Sequence, residues 1–269
     1  MTIAIACCLP DAAVIGTDGA VTTTDSAGNV INVINDARKI FQIGELAAGL
    51  TTFGLASIGQ RTIASYVAEF GERYPEGMSF HDNMETLAQE LHSFFRQQLA
   101  GNDARGLGFQ PVGYTADAHL PELYTVKPGQ EEAQGGVIKN PPEGVTWEGV
   151  SIALERIHHG FDAAMLKAFL EQIQEGAETI KNSRLNAQDV QVFRDKLFPV
   201  LQGHNVRPNF SAMPIQQGVD YVRFLINVMI AWCRFMDGAP VCGPPVQVAV
   251  VTKRGYQELT DGTPRVRSL

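Results

Sequence analysis

The residue with the clearest chemical potential is a threonine at the second position of the chain. Thr2 follows Met1, and its small side chain permits removal of the initiator methionine. Removal leaves a free threonine amine, whose reference pKa of about 7.7–8.0 suits it to act as general base for the adjacent hydroxyl. The sequence therefore predicts that Thr2 can serve as an N-terminal nucleophile.

Three further residues of suitable type stand at the ends of short predicted strands. Asp18 ends the second predicted strand and follows Thr2 by 16 residues. Lys39 begins the third strand, and Gly49 lies at the end of the fourth, just before a predicted helix. Each could be an ordinary turn residue, strand-end charge or helix breaker by itself.

These residues and their spacing resemble the N-terminal nucleophile hydrolases, in particular the proteasome β-subunits and the bacterial ring peptidase HslV. In that family an N-terminal threonine is followed sixteen residues later by an aspartate. A Lys-Ile strand start then supplies a lysine, and an Ala-Gly turn supplies a backbone N–H. This chain has Thr2, Asp18, Lys39 and Gly49 at those places. The resemblance is strongest over residues 2–70 and extends more loosely over most of the chain.

The resemblance implies a role for each residue. Thr2 attacks the substrate carbonyl, and its own amine takes the proton. Lys39 lowers the proton affinity of that amine and hydroxyl by its charge, and Asp18 pairs with Lys39 to fix its position. The Gly49 backbone N–H points at the developing oxyanion. Asp237, after the last long helix, keeps the acidic role of the family's Arg-Asp-x-x-Ser-Gly motif.

Two stretches depart from the family pattern. Where the family has serine within Gly-Ser-Gly, either Thr146 or Glu148 stands in this chain. Cys242 takes the place of the serine that follows the family's aspartate, with two extra residues between them. These changes leave the predicted nucleophile, lysine and first aspartate intact, but they weaken the case for ordinary peptidase activity.

The predicted elements come in blocks of strands and blocks of helices. Strands are predicted over residues 2–8, 13–17, 39–43, 46–50, 111–114, 122–126 and 245–252, and helices over about 55–73, from 79, about 149–175 and from 214. Such blocks, without strict alternation, predict an α+β fold. The resemblance implies a four-layer αββα sandwich, with two stacked sheets and helices on both outer faces. We expect a single domain over residues 1–269, with a helical insertion at about 176–212.

Composition excludes several classes of protein. The 269 residues include 21 basic and 29 acidic side chains, a formal net charge of −8, which argues against a nucleic-acid-binding protein. The absence of a run of about 18 apolar residues argues against a membrane-spanning helix. No basic residue precedes Arg38, as an export signal would require, and four cysteines are too few for a disulfide framework. These features predict a cytoplasmic protein.

Two further motifs are poor candidates for metal or cofactor sites. His158 and His159 are adjacent, whereas a chelating pair on a helix requires a spacing of four. Gly106 and Gly108 lack the third glycine and the strand-helix context of a dinucleotide site. We therefore expect no cofactor and no metal.

The combined prediction is an N-terminal threonine hydrolase of amide bonds, a proteasome-like peptidase that takes peptides or unfolded proteins. The resemblance implies a homo-oligomeric ring and raises an ATP-driven unfoldase as a partner to test. Two alternatives stay open. One is a catalytically silent structural subunit, like the α-type chains of the proteasome, and the other is a small-molecule acylase or amidase.

Overall fold

Two five-stranded antiparallel sheets carry most of the strands in this computed structural model. The structure describes residues 2–24, 30–75, 83–99, 106–115, 117–130, 135–160, 163–181, 188, 191–192, 195–196, 208–237 and 240–259. The strands are β1 (Ile3–Cys8), β2 (Ala13–Thr17), β3 (Val21–Thr24), β4 (Val30–Ile34), β5 (Ile40–Gln42), β6 (Ala48–Phe53), β7 (Ser57–Ile58), β8 (Arg61–Thr62), β9 (Gly108–Gly113), β10 (Glu122–Val126), β11 (Val137–Lys139), β12 (Gly144–Gly149), β13 (Gln247–Thr252) and β14 (Gly255–Leu259). The helices are α1 (Ile63–Gly71), α2 (Met84–Gln98), α3 (Ile152–His159), α4 (Ala163–Lys181) and α5 (Ile215–Phe235), with a short 3-10 helix at Phe210–Ala212.

The two large sheets have different strand orders. The first runs β12-β1-β2-β13-β14, and the second runs β11-β10-β9-β6-β5. Two small sheets, β3-β4 and β7-β8, contain two strands each. Every strand pairing among the described residues is antiparallel. The strands predicted over 2–8 and 13–17 are confirmed, and they pair with each other in the first sheet.

Strands β1 and β2 lie in the interior of the first sheet, and almost all of their residues are apolar. All residues of both strands are buried, the pattern expected of strands covered on two sides. On one face, apolar residues of the first sheet pack in one cluster with Val112 and Leu123 of the second. The Leu9 N–H donates to the Ala12 carbonyl at 2.8 Å and closes the turn between the strands. The strand that leads to Asp18 is therefore held from both sides.

Helix α5 packs against β1, β2 and β13 of the first sheet. A Cβ on Gly16 would lie 2.7 Å from Val222 and 2.8 Å from Ile226, so the helix approaches β2 at a position where no side chain fits. Helix α2 packs against β9, β10 and β11 of the second sheet. Its buried face includes Leu87, Leu91 and Phe95, the spacing of an amphipathic helix.

Capping side chains explain where two helices begin. The Thr62 hydroxyl accepts the Ser65 N–H at the start of α1, and the Asn83 carboxamide oxygen accepts the Thr86 N–H at 2.8 Å at the start of α2. Each satisfies a helix N–H that lacks an intrahelical partner. The start at Ser79 predicted for the second helix lies outside the described residues.

The four-layer αββα sandwich is wrong as a prediction, although the α+β class is correct. The described chain is an α+β fold of several antiparallel sheets and five α-helices. The chain divides into two compact units: helices α3 and α4 belong to Ser151–Pro208, and the two large sheets belong to the unit that comprises Met1–Val150 and Asn209–Leu269. The four layers that the resemblance implies are therefore not shown.

The second unit contains a helix break that sequence periodicity did not predict. Gly160 ends α3 in a left-handed conformation with φ of 76°, and its N–H donates to the Arg156 carbonyl. A residue with positive φ cannot continue a right-handed helix, and glycine adopts it at little cost. The insertion predicted at about 176–212 lies mostly outside the described residues, so the single-domain organisation stays a prediction.

Candidate active site

Thr2 lies in a closely fitted backbone environment at the start of β1. The residue is 5% exposed, and its carbonyl accepts the Val150 N–H at 2.9 Å. A Cβ on Gly149 would lie only 1.9 Å from the Thr2 carbonyl oxygen, and Gly149 has φ of +90°. Both facts require glycine there. The end of β12 therefore fixes the position of the Thr2 backbone.

Asp18 is the acceptor at the centre of the site. Its side chain is fully buried and follows β2 directly. Oδ1 accepts the Ile3 N–H at 3.1 Å and the Lys39 Nζ at 2.9 Å. Oδ2 accepts the N–H groups of Ala20 and Gly243, both at 3.1 Å. Four protein donors, one of them the Lys39 ammonium, therefore compensate the carboxylate charge.

Lys39 is the cation of this buried pair. The residue is 4% exposed, and its Nζ also donates to the Ala20 carbonyl. Its backbone N–H donates to the Gln247 side-chain oxygen at 2.9 Å, which holds the start of β5. Burial lowers the pKa of Lys39 below its ordinary value, while the charge and hydrogen bond of Asp18 oppose that shift.

The ion pair joins the two large sheets close to Thr2. Asp18 follows β2 of the first sheet, and Lys39 precedes β5 at the edge of the second sheet. The amide between Thr2 and Ile3 donates its N–H to the same Asp18 oxygen that binds Lys39. Thr2, Asp18 and Lys39, which the sequence predicts as one site, therefore lie within one connected hydrogen-bond network.

Gly49 lies inside a strand, not at its end. The Thr52 N–H donates to the Lys39 carbonyl, which lies on the β5 side of β6. Because backbone N–H groups point to alternate sides along a strand, the Leu50 N–H also points to the β5 side. The Gly49 N–H then points to β9, where the register partner of Gly49 is Val112. Its proposed role as oxyanion donor stays a prediction, and that role requires its N–H to leave the strand ladder.

Asp237 lies two residues beyond the end of α5 and is exposed. No hydrogen bond or ion pair found within the described part of the chain connects it to Asp18 or Lys39. Its acidic role also stays a prediction. The sequence between Asp237 and Cys242 includes residues 238–239, which lie outside the described ranges.

Cys242 is buried next to a residue that binds Asp18, whereas Asp237 is exposed. Cys242 is 2% exposed, and its neighbour Gly243 donates directly to Asp18. Burial raises the pKa of Cys242; the charge of Asp18 and the Cys233 thiol add to the rise, and the charge of Lys39 opposes it. A thiol with a raised pKa stays protonated, so Cys242 adds no negative charge beside Lys39.

Glu148, one of the two residues that the sequence places where the family has a serine, forms an ion pair. Its carboxylate lies 3.1 Å from the Lys127 ammonium, and both side chains line a cavity of about 400 Å³ that also touches Gly149. The charge pattern along β12 did not predict this pair, because Lys127 follows a different strand, β10. Residue 148 therefore belongs to the wall of a cavity next to the Thr2 backbone.

Metal ligands are not grouped in the described part of the chain. Among residues 2–259 with their gaps, no three His, Cys, Asp or Glu side chains are placed to hold one ion. Of the helices in the same ranges, none has both the length and the apolar character needed to cross a membrane.

Comparison with solved structures identifies proteins of similar fold. No family model matches the sequence, and no curated protein is similar to it in sequence. Anbu (ancestral beta-subunit) from Yersinia bercovieri superposes with a TM-score of 0.55 at 13% identity, over 96% of this chain and 87% of that one. Anbu from Hyphomicrobium sp. strain MC1 gives a TM-score of 0.55 at 12% identity, over 96% and 85%.

A third solved structure, described as the helical assembly of the Anbu complex from Pseudomonas aeruginosa, has a TM-score of 0.52 and 16% identity, over 93% of this chain and 81% of that one. The resemblance to ordinary proteasome β-subunits and HslV is therefore wrong as stated, because these structural neighbours are Anbu proteins, a distinct family. At 12–16% identity the likeness shows the fold alone, and it is a general relationship to the proteasome-related Anbu proteins.

Proposed function

We propose that this protein is an N-terminal threonine hydrolase that cleaves amide bonds. The observation that carries the proposal is the buried Asp18–Lys39 pair, whose shared oxygen also binds the amide next to Thr2. A buried cation whose partner carboxylate also binds the Thr2–Ile3 amide stabilises negative charge that develops at Thr2 better than an exposed lysine does, because its surroundings are already oriented.

The reaction begins when Thr2 Oγ1 attacks the substrate carbonyl carbon. The hydroxyl proton passes to the Thr2 α-amine, and the positive charge of Lys39 favours the oxygen anion over its protonated form. The carbon–nitrogen bond then breaks, and the ammonium proton goes to the leaving amine. Water then attacks the carbonyl carbon of the resulting ester and gives a proton to the Thr2 α-amine. The bond from that carbon to Thr2 Oγ1 breaks, the acid is released, and the α-ammonium returns the proton to Oγ1, which restores the hydroxyl.

The proposal requires that processing exposes the Thr2 amine. Intact mass spectrometry of the purified protein is expected to show the mass of a chain that begins at Thr2. Hydrolysis of a panel of fluorogenic peptides is expected to be lost in Thr2→Ala. The matched control is Thr23→Ala, which removes an exposed threonine from β3. It is expected to leave the rate of peptide hydrolysis unchanged. Retention of Met1, or a Thr2→Ala variant as active as the native protein, would overturn the proposal.

A catalytically silent structural subunit is the second candidate function. It is favoured by the exposed position of Asp237, which the described contacts do not connect to Asp18 or Lys39. A silent subunit shows no hydrolysis that depends on Thr2, even when its mass shows that Thr2 is the first residue.

An acylase is distinguished from a peptidase by offering the protein short N-acyl compounds and unfolded protein side by side and measuring which of the two is hydrolysed.

We also propose self-association of this chain. The support is the description of the Pseudomonas aeruginosa neighbour as a helical assembly. Light scattering coupled to size exclusion is expected to give a mass several times that of one chain. An ATP-driven unfoldase partner and a cytoplasmic location stay predictions from the sequence.

A further inference from the structure

A cavity next to Thr2 has the chemistry of a side-chain specificity site. The cavity has a volume of about 400 Å³. Gly149 lines it, and a Cβ on Gly149 would lie 1.9 Å from the Thr2 carbonyl oxygen, so the wall of the cavity includes a residue that contacts the Thr2 backbone. This shared residue makes the cavity the candidate site for the side chain beside the scissile bond.

The walls of the cavity are of two kinds. Phe53 and Leu107 are buried at 6% and 2% exposure and form an apolar part. Lys127 and Glu148 form a polar part, with the Nζ and Oε1 atoms 3.1 Å apart and side-chain exposures of 30% and 22%. The polar part thus presents an ammonium donor and a carboxylate acceptor side by side.

We propose that this cavity binds a carboxamide side chain, glutamine or asparagine, of the substrate residue beside the scissile bond. The inference rests on the proposed function for the identity of the reacting residue. A carboxamide carries an oxygen that accepts from Lys127 and an NH₂ group that donates to Glu148. It therefore bonds to both members of the ion pair and leaves their charges balanced.

Other side chains fit this ion pair less well. A carboxylate or an ammonium from the substrate pairs with one member and leaves the other charge without its partner in a partly buried position. An apolar side chain covers the pair, removes water from both charges and supplies no hydrogen bond in return. Discrimination therefore comes from satisfying both polar groups together.

The experiment compares peptides that differ at the residue beside the scissile bond, with Gln, Asn, Glu, Lys or Leu on either side. The native protein is expected to show a kcat/KM for Gln or Asn about tenfold or more above the other three. Glu148→Gln leaves Lys127 unpaired and is expected to shift the preference to Glu. Lys127→Met leaves Glu148 unpaired and is expected to shift it to Lys.

Two further variants separate the cavity from general effects of charge. The charge-reversed protein with Lys127→Glu and Glu148→Lys is expected to regain the carboxamide preference. The matched control is Glu122→Gln, which breaks another ion pair of 3.1 Å, with Lys139, outside the residues that line the cavity. It is expected to leave the order of preference unchanged. A carboxamide preference unaffected by changes at Lys127 and Glu148, or no such preference at all, overturns the inference.

A binding measurement keeps this inference separate from the proposed function. The same peptides, labelled for fluorescence anisotropy, are titrated into Thr2→Ala protein, with and without Glu148→Gln. Tighter binding of carboxamide peptides that is lost on Glu148→Gln supports the cavity, even where the native protein cleaves nothing and the proposed function fails. Cleavage that depends on Thr2, with equal binding of all five peptides, supports the function and overturns the cavity.

Discussion

Lys39 Nζ lies 2.9 Å from Asp18 Oδ1, and the two side chains are 5% and 0% exposed. The chain contains a second pair at the same distance, Arg38 to Glu258, whose side chains are 57% and 34% exposed. Equal distances do not imply equal energies, because water screens the second pair and not the first. Only the first pair contacts the amide that follows Thr2.

Asp18→Ala is expected to lower the free energy of unfolding by about 3–5 kcal/mol, because it leaves the Lys39 charge buried without a partner. The matched variant Glu258→Ala is expected to cost less than about 1 kcal/mol. Urea denaturation monitored by circular dichroism measures both. Replacement of both members, Asp18→Asn with Lys39→Met, is expected to cost less than Asp18→Ala alone. Equal costs for Asp18→Ala and Glu258→Ala would contradict this account of the pair.

Gly149 and Gly144 provide a matched test of how β12 holds Thr2. Both glycines have positive φ, +90° and +121°, but only a Cβ on Gly149 would meet another atom, the Thr2 carbonyl oxygen at 1.9 Å. Gly144→Ala is expected to cost about 1–3 kcal/mol from backbone strain alone. Gly149→Ala is expected to cost about 1–3 kcal/mol more, because the collision displaces backbone as well.

The two variants also differ in their effect on the proposed reaction. Hydrolysis by Gly149→Ala is expected to fall through kcat, since displacement of Thr2 misaligns the nucleophile. Gly144→Ala is expected to keep its kcat at a temperature where both variants are folded. Urea denaturation and steady-state kinetics on the same preparations give both readouts. An unchanged kcat in folded Gly149→Ala would show that β12 does not position the reacting group.

Local patterns predict the strands that carry Thr2, Asp18 and Lys39, whereas their assignment to one site comes from the family resemblance. The two apolar runs before Asp18 are short and separated by Pro10 and Asp11, which predicts a hairpin without knowledge of the fold. The position of Lys39 follows from the start of the next apolar run. Such signals depend only on neighbours in sequence, and the structure agrees with them.

The position of Gly49 could not be predicted in the same way. The apolar run ends at Leu50, which suggests the end of a strand, but β6 continues to Phe53. Thr51 and Thr52 belong to the strand because β9 pairs with them, and the Thr51 hydroxyl donates to the Gln110 side chain at 3.1 Å. Thr51 and Gln110 are 59 residues apart in sequence. Pairing with so distant a strand extends β6 beyond the point where the local apolar pattern ends.

The same limit applies to the residues that sequence reasoning missed. Gly243 and Gln247 contact Asp18 and Lys39 from the far end of the chain, at separations of 225 and 208 residues. The Lys127–Glu148 pair depends on the arrangement of two strands that are not paired with each other. No local pattern encodes these contacts, because they arise only when the two sheets are in place.

Gly49 is expected to be required for packing between the sheets. A Cβ there would lie 2.8 Å from the Tyr256 ring and 3.1 Å from Ile15. Gly49→Ala is therefore expected to lower the free energy of unfolding by about 1–3 kcal/mol. In a double-mutant cycle, Tyr256→Leu is expected to relieve part of that cost, so that the double variant is more stable than the sum of the single changes implies. Additive costs in the cycle would show that the Tyr256 ring is not the obstacle.

The adjacent thiols of Cys7 and Cys8 are expected to make the free energy of unfolding depend on pH in the alkaline range. Burial raises the pKa of each thiol to about 12, and the charge of Cys8 contributes to the shift at Cys7. An unfolded cysteine has a pKa of about 8.5. Between these values the unfolded chain loses protons that the folded chain keeps, so this contribution is complete below pH 8.5 and is lost as the pH rises towards 12.

The free energy of unfolding is therefore expected to fall above pH 8.5 by up to about 1.4 kcal/mol per pH unit for each thiol. A variant with Cys7→Ala and Cys8→Ala is less stable at pH 8 because the core loses volume, but its decline with pH is expected to be shallower. Urea denaturation of both proteins at pH 8, 9 and 10 measures the two slopes. Lys39, whose pKa is lowered by burial, contributes a slope of opposite sign that is the same in both proteins and cancels in the comparison. Parallel slopes would mean that the two thiols ionise in the folded protein as readily as in the unfolded chain, against their complete burial in β1.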